Sequence, residues 1–189
     1  KIFSTRGGLN YSINENHRLV FSTMLYSFMR DDRDEMKSEL ERSFQQMRDL
    51  EKNILSFAYE FQGFGSRLRT NLFGKRYQQK VEQRTPLITT VNGQSTLTEN
   101  YESSTTTNYG YGFAASYFVL PKVMLSTSAE KAVRLPSENE IFGNPGENQI
   151  QNSALKPERS NNLNAGVRFG PFAVNDHKFS FGGSGFWRN

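Results

Sequence analysis

"SSTTTNYGYGFAASYFV", residues 103–119, is the stretch that decides the fold. Tyr109, Tyr111, Phe113 and Tyr117 occupy odd positions, whereas almost all even positions carry small or polar groups. Successive side chains of a β-strand point to opposite faces, so this alternation predicts a strand with one aromatic face and one polar face. Strands of soluble proteins usually run for about 5 to 6 residues. A tilted strand that crosses a bilayer needs about 9 to 11, which this stretch provides.

Similar patterns predict about eight strands in all. The other segments are 1–13, 18–30, 52–62, 66–82, 122–134, 160–170 and 178–188. The segment 160–170 alternates most cleanly after 103–119. We expect Leu163, Ala165, Val167 and Phe169 to face lipid, and Asn162, Asn164 and Arg168 to face a wet interior.

The connections between these segments alternate in length. Short turns are expected at 14–17, 63–65, 120–122 and 171–177, and long connections at 31–51, 83–102 and 135–159. This rhythm is typical of outer-membrane barrels, which have short turns at one end and long loops at the other. The sequence therefore predicts an all-β, antiparallel, up-and-down transmembrane β-barrel segment, with residues 1–189 part of a single barrel domain.

One long connection carries a helical pattern. Apolar residues recur three or four positions apart in the region 34–50, at Met36, Leu40, Phe44, Met47 and Leu50. This spacing predicts a helix in the loop, and the aspartates at 31, 32 and 34 suit its N-terminus.

Composition excludes several classes of protein. Only 35% of the residues are hydrophobic, mean hydropathy is −0.67, and no run approaches the roughly 18 apolar residues of a membrane helix. The absence of cysteine excludes disulfides and cysteine-based metal sites. The net charge of +4 is spread along the chain, which does not indicate nucleic acid as a partner. No catalytic motif is present, so we expect neither an enzyme nor a cofactor or metal site.

The run 133–170 resembles the C-terminal barrel of TonB-dependent outer-membrane receptors, and 71–79 is similar to strands of Bacteroidetes-type members. The resemblance rests on an Arg-x-Pro step, an Asn-x-x-Leu-Lys-Pro-Glu element and a later glycine, all with structural roles. These residues are Arg134, Pro136, Asn152, Leu155, Lys156, Pro157, Glu158 and Gly166.

The resemblance implies a function that the residues alone do not. Such receptors form 22-stranded, plugged barrels in the bacterial outer membrane and import siderophores, cobalamin, haem or glycans with energy from TonB. We therefore expect this chain to be part of such a barrel, with the plug and remaining strands elsewhere. The expected partners are the outer-membrane bilayer, TonB through an N-terminal region, a surface lipoprotein in some systems, and an unknown ligand.

Ligand contacts are expected in the long loops, because binding residues concentrate on loops held by a rigid frame. The loop 135–159 is the richest in amides and carboxylates. Its candidates are Glu138, Asn139, Glu140, Asn144, Glu147 and Asn148.

Two other folds compete with this prediction. One is a complete eight-stranded outer-membrane barrel with a structural or adhesion role. The other is a soluble β-sandwich or lipocalin-like binder, in which the rings of 103–119 would pack inside a closed core. The direction in which those rings point separates the membrane folds from the soluble one.

Overall fold

A computed structural model describes residues 1–32, 46–143 and 151–189. Most of these residues lie in long β-strands. In chain order the strands are β1 (Ile2–Ser12), β2 (His17–Asp32), β3 (Gln46–Gly63), β4 (Leu68–Val91), β5 (Gln94–Leu120), β6 (Val123–Arg134), β7 (Glu158–Val174) and β8 (His177–Arg188). A short helix, α1 (Glu138–Phe142), precedes β7. Within the part of the chain that the structure describes, no helix is long and apolar enough to cross a membrane.

The strands form one eight-stranded sheet in the order of the sequence, and every neighbouring pair is antiparallel. The predicted fold class, an up-and-down all-β barrel segment, is confirmed. In the described residues β1 and β8 do not pair with each other, so the sheet is open. It is therefore not the closed eight-stranded barrel considered as an alternative.

One face of the sheet carries the rings of the deciding stretch. Tyr109, Tyr111, Phe113 and Tyr117 are 61%, 59%, 43% and 42% exposed. Residues paired with them in register extend this face across the sheet, including Leu72 on β4, Leu125 on β6 and Leu163 on β7. We call it the outward face. Because the rings point out rather than into a closed core, the soluble alternative is wrong.

The opposite, inner face carries small and polar groups, as the alternation predicts. Asn108 is 5% exposed, and Gly110 and Gly112 are buried. A Cβ added at Gly112 would lie 2.6 Å from the carbonyl oxygen of Ala129 and 2.8 Å from the ring of Phe73. Glycine is required there because neighbouring backbone and an aromatic ring occupy the space that a side chain would need.

The predicted long connection at 83–102 is wrong. The ladder between β4 and β5 continues to the pair Val91–Gln94, and the strands join at Asn92 and Gly93. Both turn residues have positive φ, 52° and 79°, which is the geometry of a type I′ hairpin and explains the Asn-Gly sequence. Most of the residues from 87 to 100 lie on a two-stranded ribbon whose two faces are both exposed.

The predicted helix at 34–50 is wrong over its C-terminal part. Residues 46–50 belong to β3, where Leu50 pairs with Phe28 on one side and Val81 on the other and is fully buried. Ladder hydrogen bonds to two neighbouring strands outweigh local helix propensity at these positions. The remainder, 34–45, lies outside the described residues.

Candidate functional site at the long-loop end

The connection from β6 to β7 folds back over the inner face, beginning with α1. Ser137 precedes this helix, and its hydroxyl accepts a hydrogen bond from the backbone N–H of Glu140 at 3.4 Å. In return the Glu140 carboxylate accepts from the backbone N–H of Ser137 at 2.7 Å. This reciprocal capping box satisfies donors that so short a helix cannot pair internally.

The last residues of α1 hold it against the sheet. Ile141 and Phe142 are 1% and 2% exposed and pack with Leu50 and Val81 in the hydrophobic cluster of the described residues. The Phe142 ring also stacks on Phe28, with centroids 6.1 Å apart. Ile141 and Phe142 therefore anchor the loop by packing against the inner face of the sheet.

Arg134 ties the start of the loop to its end. Its guanidinium donates to Glu140 at 2.7 Å and to Glu158 at 3.2 Å, and Arg134 and Glu158 are also partners in the β6–β7 ladder. The backbone hydrogen bond from Ser137 and the bond from Arg134 lower the pKa of Glu140 to about 2. Glu140 is therefore charged throughout the neutral range and holds both groups.

The second half of the loop is fastened to the inner wall. The backbone N–H of Asn152 donates to the Ile141 carbonyl at 2.9 Å. Arg48 donates to the carbonyl of Phe142 at 3.1 Å and to Gln151 at 3.2 Å. Gln151 in turn donates to Gln83 on β4 at 2.7 Å. The loop thus closes on itself while bound to β3 and β4.

A further contact fixes the entry to β7. Arg159 donates to the buried Asn108 of β5 through two nitrogens, at 3.1 and 2.5 Å. Periodicity placed Asn108 on the polar face, but it gave no sign of this partner. Arg48, Gln83 and Arg159 were likewise missed, because they fall in segments that the sequence analysis assigned to long connections, whereas the structure places them in β3, β4 and β7.

The remaining motif residues differ in how deeply they are buried. Pro136 is among the most deeply buried side chains, whereas Leu155 and Lys156 are exposed just before β7. Pro157 is half-buried at the end of the loop. A Cβ on Gly166 would approach both Ser126 and Ser184 to 3.1 Å, which leaves little room for any other residue.

The predicted ligand residues lie in different settings. Glu138 faces Tyr26 and Lys52 across the inner wall, and Glu140 is occupied by Arg134 and Ser137. Asn139 is exposed. The other three candidates, Asn144, Glu147 and Asn148, lie outside the described residues. A ligand role for this set stays a prediction.

The inner face also forms a cavity of about 950 Å³ toward the short-turn end. Serines, threonines and asparagines line much of it, and Arg18 pairs there with Glu60 at 3.5 Å. Among the residues that the structure describes, no group of three His, Cys, Asp or Glu side chains could hold a metal ion. The inner face is thus a polar surface, and the described part of the β6–β7 connection packs against it at the long-loop end.

The family model described as "TonB dependent receptor-like, beta-barrel" matches residues 76–189, more than half of the chain. The chain belongs to the TonB-dependent receptor β-barrel family. That family consists of outer-membrane receptors and transporters rather than enzymes. The sequence resemblance to TonB-dependent receptors is confirmed.

A solved structure of a bacterial receptor has the same fold. It is a double mutant of the Serratia marcescens hemophore receptor HasR, in complex with its hemophore HasA and haem. The TM-score is 0.61 at 15% identity, and the match covers 99% of this chain but 32% of that chain. The chain thus spans about a third of that receptor's length. Among curated proteins, none matches the sequence significantly.

Proposed function

We propose that this chain forms part of the barrel of an outer-membrane receptor that imports a scarce nutrient with energy from TonB. The observation that carries the proposal is the outward face between Tyr109 and Tyr117. Tyrosines flank this span, its length agrees with the roughly 9–11 residues of a bilayer-crossing strand, and the inner face is polar. Membership of the receptor family supports the same function.

The open sheet supports a barrel larger than eight strands. Among the described residues β1 and β8 each pair on one side only, so both edges expose unpaired backbone groups. Such edges must be covered within a bilayer, where no water can satisfy them. Further strands of the same receptor would close the barrel, and a plug would occupy its polar interior.

We propose that the ligand binds at the long-loop end, near the connection 135–157. Asn139 is the exposed member of α1 among the candidates, and Glu138 lies beside Lys52. Amide and carboxylate groups there could bind a polar ligand of the siderophore, cobalamin, haem or glycan class. A surface lipoprotein could bind the same ligand together with this end of the barrel. The haem in the HasR structure is a ligand of that complex, and it is not assigned to this chain.

Growth of the native bacterium tests the proposal. A strain lacking the gene should lose growth on one of four limiting sources: ferric siderophore, cobalamin, haem or a glycan. A strain lacking TonB should lose growth on the same source, because the family couples uptake to TonB. Growth unaffected by TonB loss on the source that requires this gene would contradict energised import.

A further inference from the structure

The turn that joins β4 to β5 contains the one Asn-Gly pair of the sequence, Asn92–Gly93. An asparagine loses its side-chain amide when the peptide nitrogen of the next residue attacks the side-chain carbonyl carbon and closes a five-membered succinimide ring. A side chain on that next residue hinders the attack, and glycine has none. By covalent structure, Asn92 is therefore the most reactive asparagine of the chain.

The surroundings of the turn leave this pair able to react. Asn92 and Gly93 are both exposed, and nothing lies within 4 Å of the position that a Cβ on Gly93 would take. The ladder between the two strands ends at the pair Val91–Gln94, so the Gly93 nitrogen lies beyond it in the turn. Among the described residues, the ribbon 85–100 pairs only with itself. The tip can therefore change its backbone angles, as ring closure requires, while the rest of the sheet stays paired.

A second asparagine provides the contrast. Asn152 precedes Ser153, a small residue that hinders ring closure only moderately. Its side-chain oxygen accepts from the backbone N–H of Ala154 at 3.2 Å, and its own backbone N–H donates to Ile141 at 2.9 Å. The first of these bonds must break before the side chain can reach the Ser153 nitrogen, and the second holds the backbone in place. Within the described residues, Asn92 has no comparable restraint.

We propose that Asn92 is a site of spontaneous deamidation, which converts the tip of the ribbon from neutral to acidic as the protein ages. The Gly93 nitrogen loses its proton and bonds to Cγ of Asn92, and the side-chain amide leaves as ammonia. Water then opens the succinimide at either carbonyl, which gives aspartate or isoaspartate. Water is the only co-reactant, and the step is independent of nutrient uptake.

The two products differ in their effect on the turn. Residues 85–98 carry no charged side chain, so either product introduces the first charge of this part of the ribbon. Aspartate preserves the turn, because Asp-Gly suits the same turn type as Asn-Gly. Isoaspartate lengthens the main chain by a methylene group and disrupts the pairing of Val91 with Gln94. It should also loosen the neighbouring contact between the hydroxyls of Thr90 and Ser95, which are 3.0 Å apart.

The intact receptor, purified in detergent and aged in water enriched in a heavy oxygen isotope, tests the site by peptide mass mapping. Each new carboxylate then carries the isotope. Asn92 should react at least about tenfold faster than Asn152. It should also react within about tenfold of its rate in a synthetic peptide of residues 85–100, which allows about 1.4 kcal/mol for opening the tip. The rate should rise with pH, because the attacking nitrogen must lose its proton.

Two variants that preserve the turn serve as controls. Asn92→Gly removes the amide, and Gly-Gly suits the same turn, so the tip should gain no isotope. Gly93→Asn keeps Asn92 but adds a side chain after it, in a conformation that asparagine tolerates, and should slow the reaction about tenfold or more. Hydrogen exchange of residues 85–100 should quicken with age in the natural sequence and stay constant in Asn92→Gly.

Three outcomes would each overturn the proposal. The first is faster labelling of Asn152 than of Asn92 in the folded receptor. The second is a rate in the folded receptor that is lower than in the peptide by more than about tenfold, which would show that the turn protects Asn92. The third is an unchanged rate in Gly93→Asn, which would show that the glycine is not what makes the site reactive.

Discussion

At the scale of single residues, the carboxylate of Glu140 joins the start of α1 at Ser137 to the end of β6 at Arg134. Its pKa is lowered from the usual 4.5 to about 2 by Ser137 and Arg134. A group whose pKa is lower in the folded state stabilises that state fully above its unfolded pKa. The contribution of Glu140 is therefore complete above about pH 4.5 and is lost as the pH falls toward 2.

Hydrogen exchange of the α1 amides should report this dependence. Protection should fall between pH 4.5 and 2 after correction for the intrinsic exchange rate. Glu140→Gln should weaken protection already at pH 7 and flatten the acid-dependent part. Glu15→Gln, at an exposed turn, serves as the control. An unchanged pH profile in Glu140→Gln would assign the acid sensitivity to other groups.

Phe113 lies on the outward face midway between Tyr109 and Tyr117. Phe113→Arg should lower the free energy of unfolding by roughly 2–4 kcal/mol, because a charge there is withdrawn from water into hydrocarbon. Thr107→Arg, on the same face beyond Tyr109, should cost about 0–1 kcal/mol. Urea unfolding of the intact receptor in lipid vesicles measures both. Equal costs at the two positions would mean that the bilayer does not cover Phe113.

At the scale of elements, β4 and β5 carry two glycines that face opposite ways. A Cβ on Gly112 would meet Ala129 and Phe73 on the inner face, whereas nothing lies within 4 Å of a Cβ on Gly74. Gly112→Ala should therefore destabilise the receptor by about 1–3 kcal/mol through overpacking. Gly74→Ala should be neutral or slightly stabilising. Thermal unfolding of both variants provides the comparison, and a neutral Gly112→Ala would show that the sheet can relax there.

The helix α1 depends on its buried end more than on its own length. Phe142→Ala should release the loop from its seat on Leu50 and Val81, because it removes a ring that is 2% exposed. Limited proteolysis should then cleave the connection between β6 and β7 faster, while the barrel itself stays folded. Asn139→Ala, on the exposed side of the same helix, should leave the rate unchanged. Cleavage at the same rate in both variants would contradict the packing role.

Strand periodicity predicted most of these elements, and its failures have physical causes. The pattern of 103–119 is simple because lipid and water impose opposite demands on its two faces. Residues 83–102 were misassigned because both faces of this ribbon are exposed to water. Its sequence therefore lacks the alternation of apolar and polar residues that marks a strand between lipid and water. Leu50 was misassigned because it is an apolar residue on the otherwise polar inner face. It is buried there by α1, which no strand pattern could reveal. The loop contacts, such as Arg159 with Asn108, join positions too far apart for any local pattern to reveal.

At the scale of the whole molecule, the sheet formed by the described residues has two unpaired edges and does not enclose a core. The buried apolar residues of the described chain form one small cluster under α1. Residues 1–189 expressed alone should therefore fail to form a stable monomer in detergent, because the edges of β1 and β8 remain unpaired. Size-exclusion chromatography and gel mobility without heating would reveal aggregation. A monodisperse, heat-modifiable species would instead revive the closed eight-stranded barrel.

The ribbon of β4 and β5 has a practical consequence. The pairing of β4 with β3 stops at Arg84, opposite Met47, and β6 pairs with β5 only from Tyr111 onward. The segments 85–91 and 94–100 consequently pair only with each other among the described residues, and they extend about 24 Å past the end of β3, at roughly 3.4 Å per residue. Anything that approaches the cell surface, an antibody or a bacteriophage, would meet the Asn92–Gly93 tip early. Under the proposed function, substitutions at this tip would alter recognition by such particles without altering nutrient uptake.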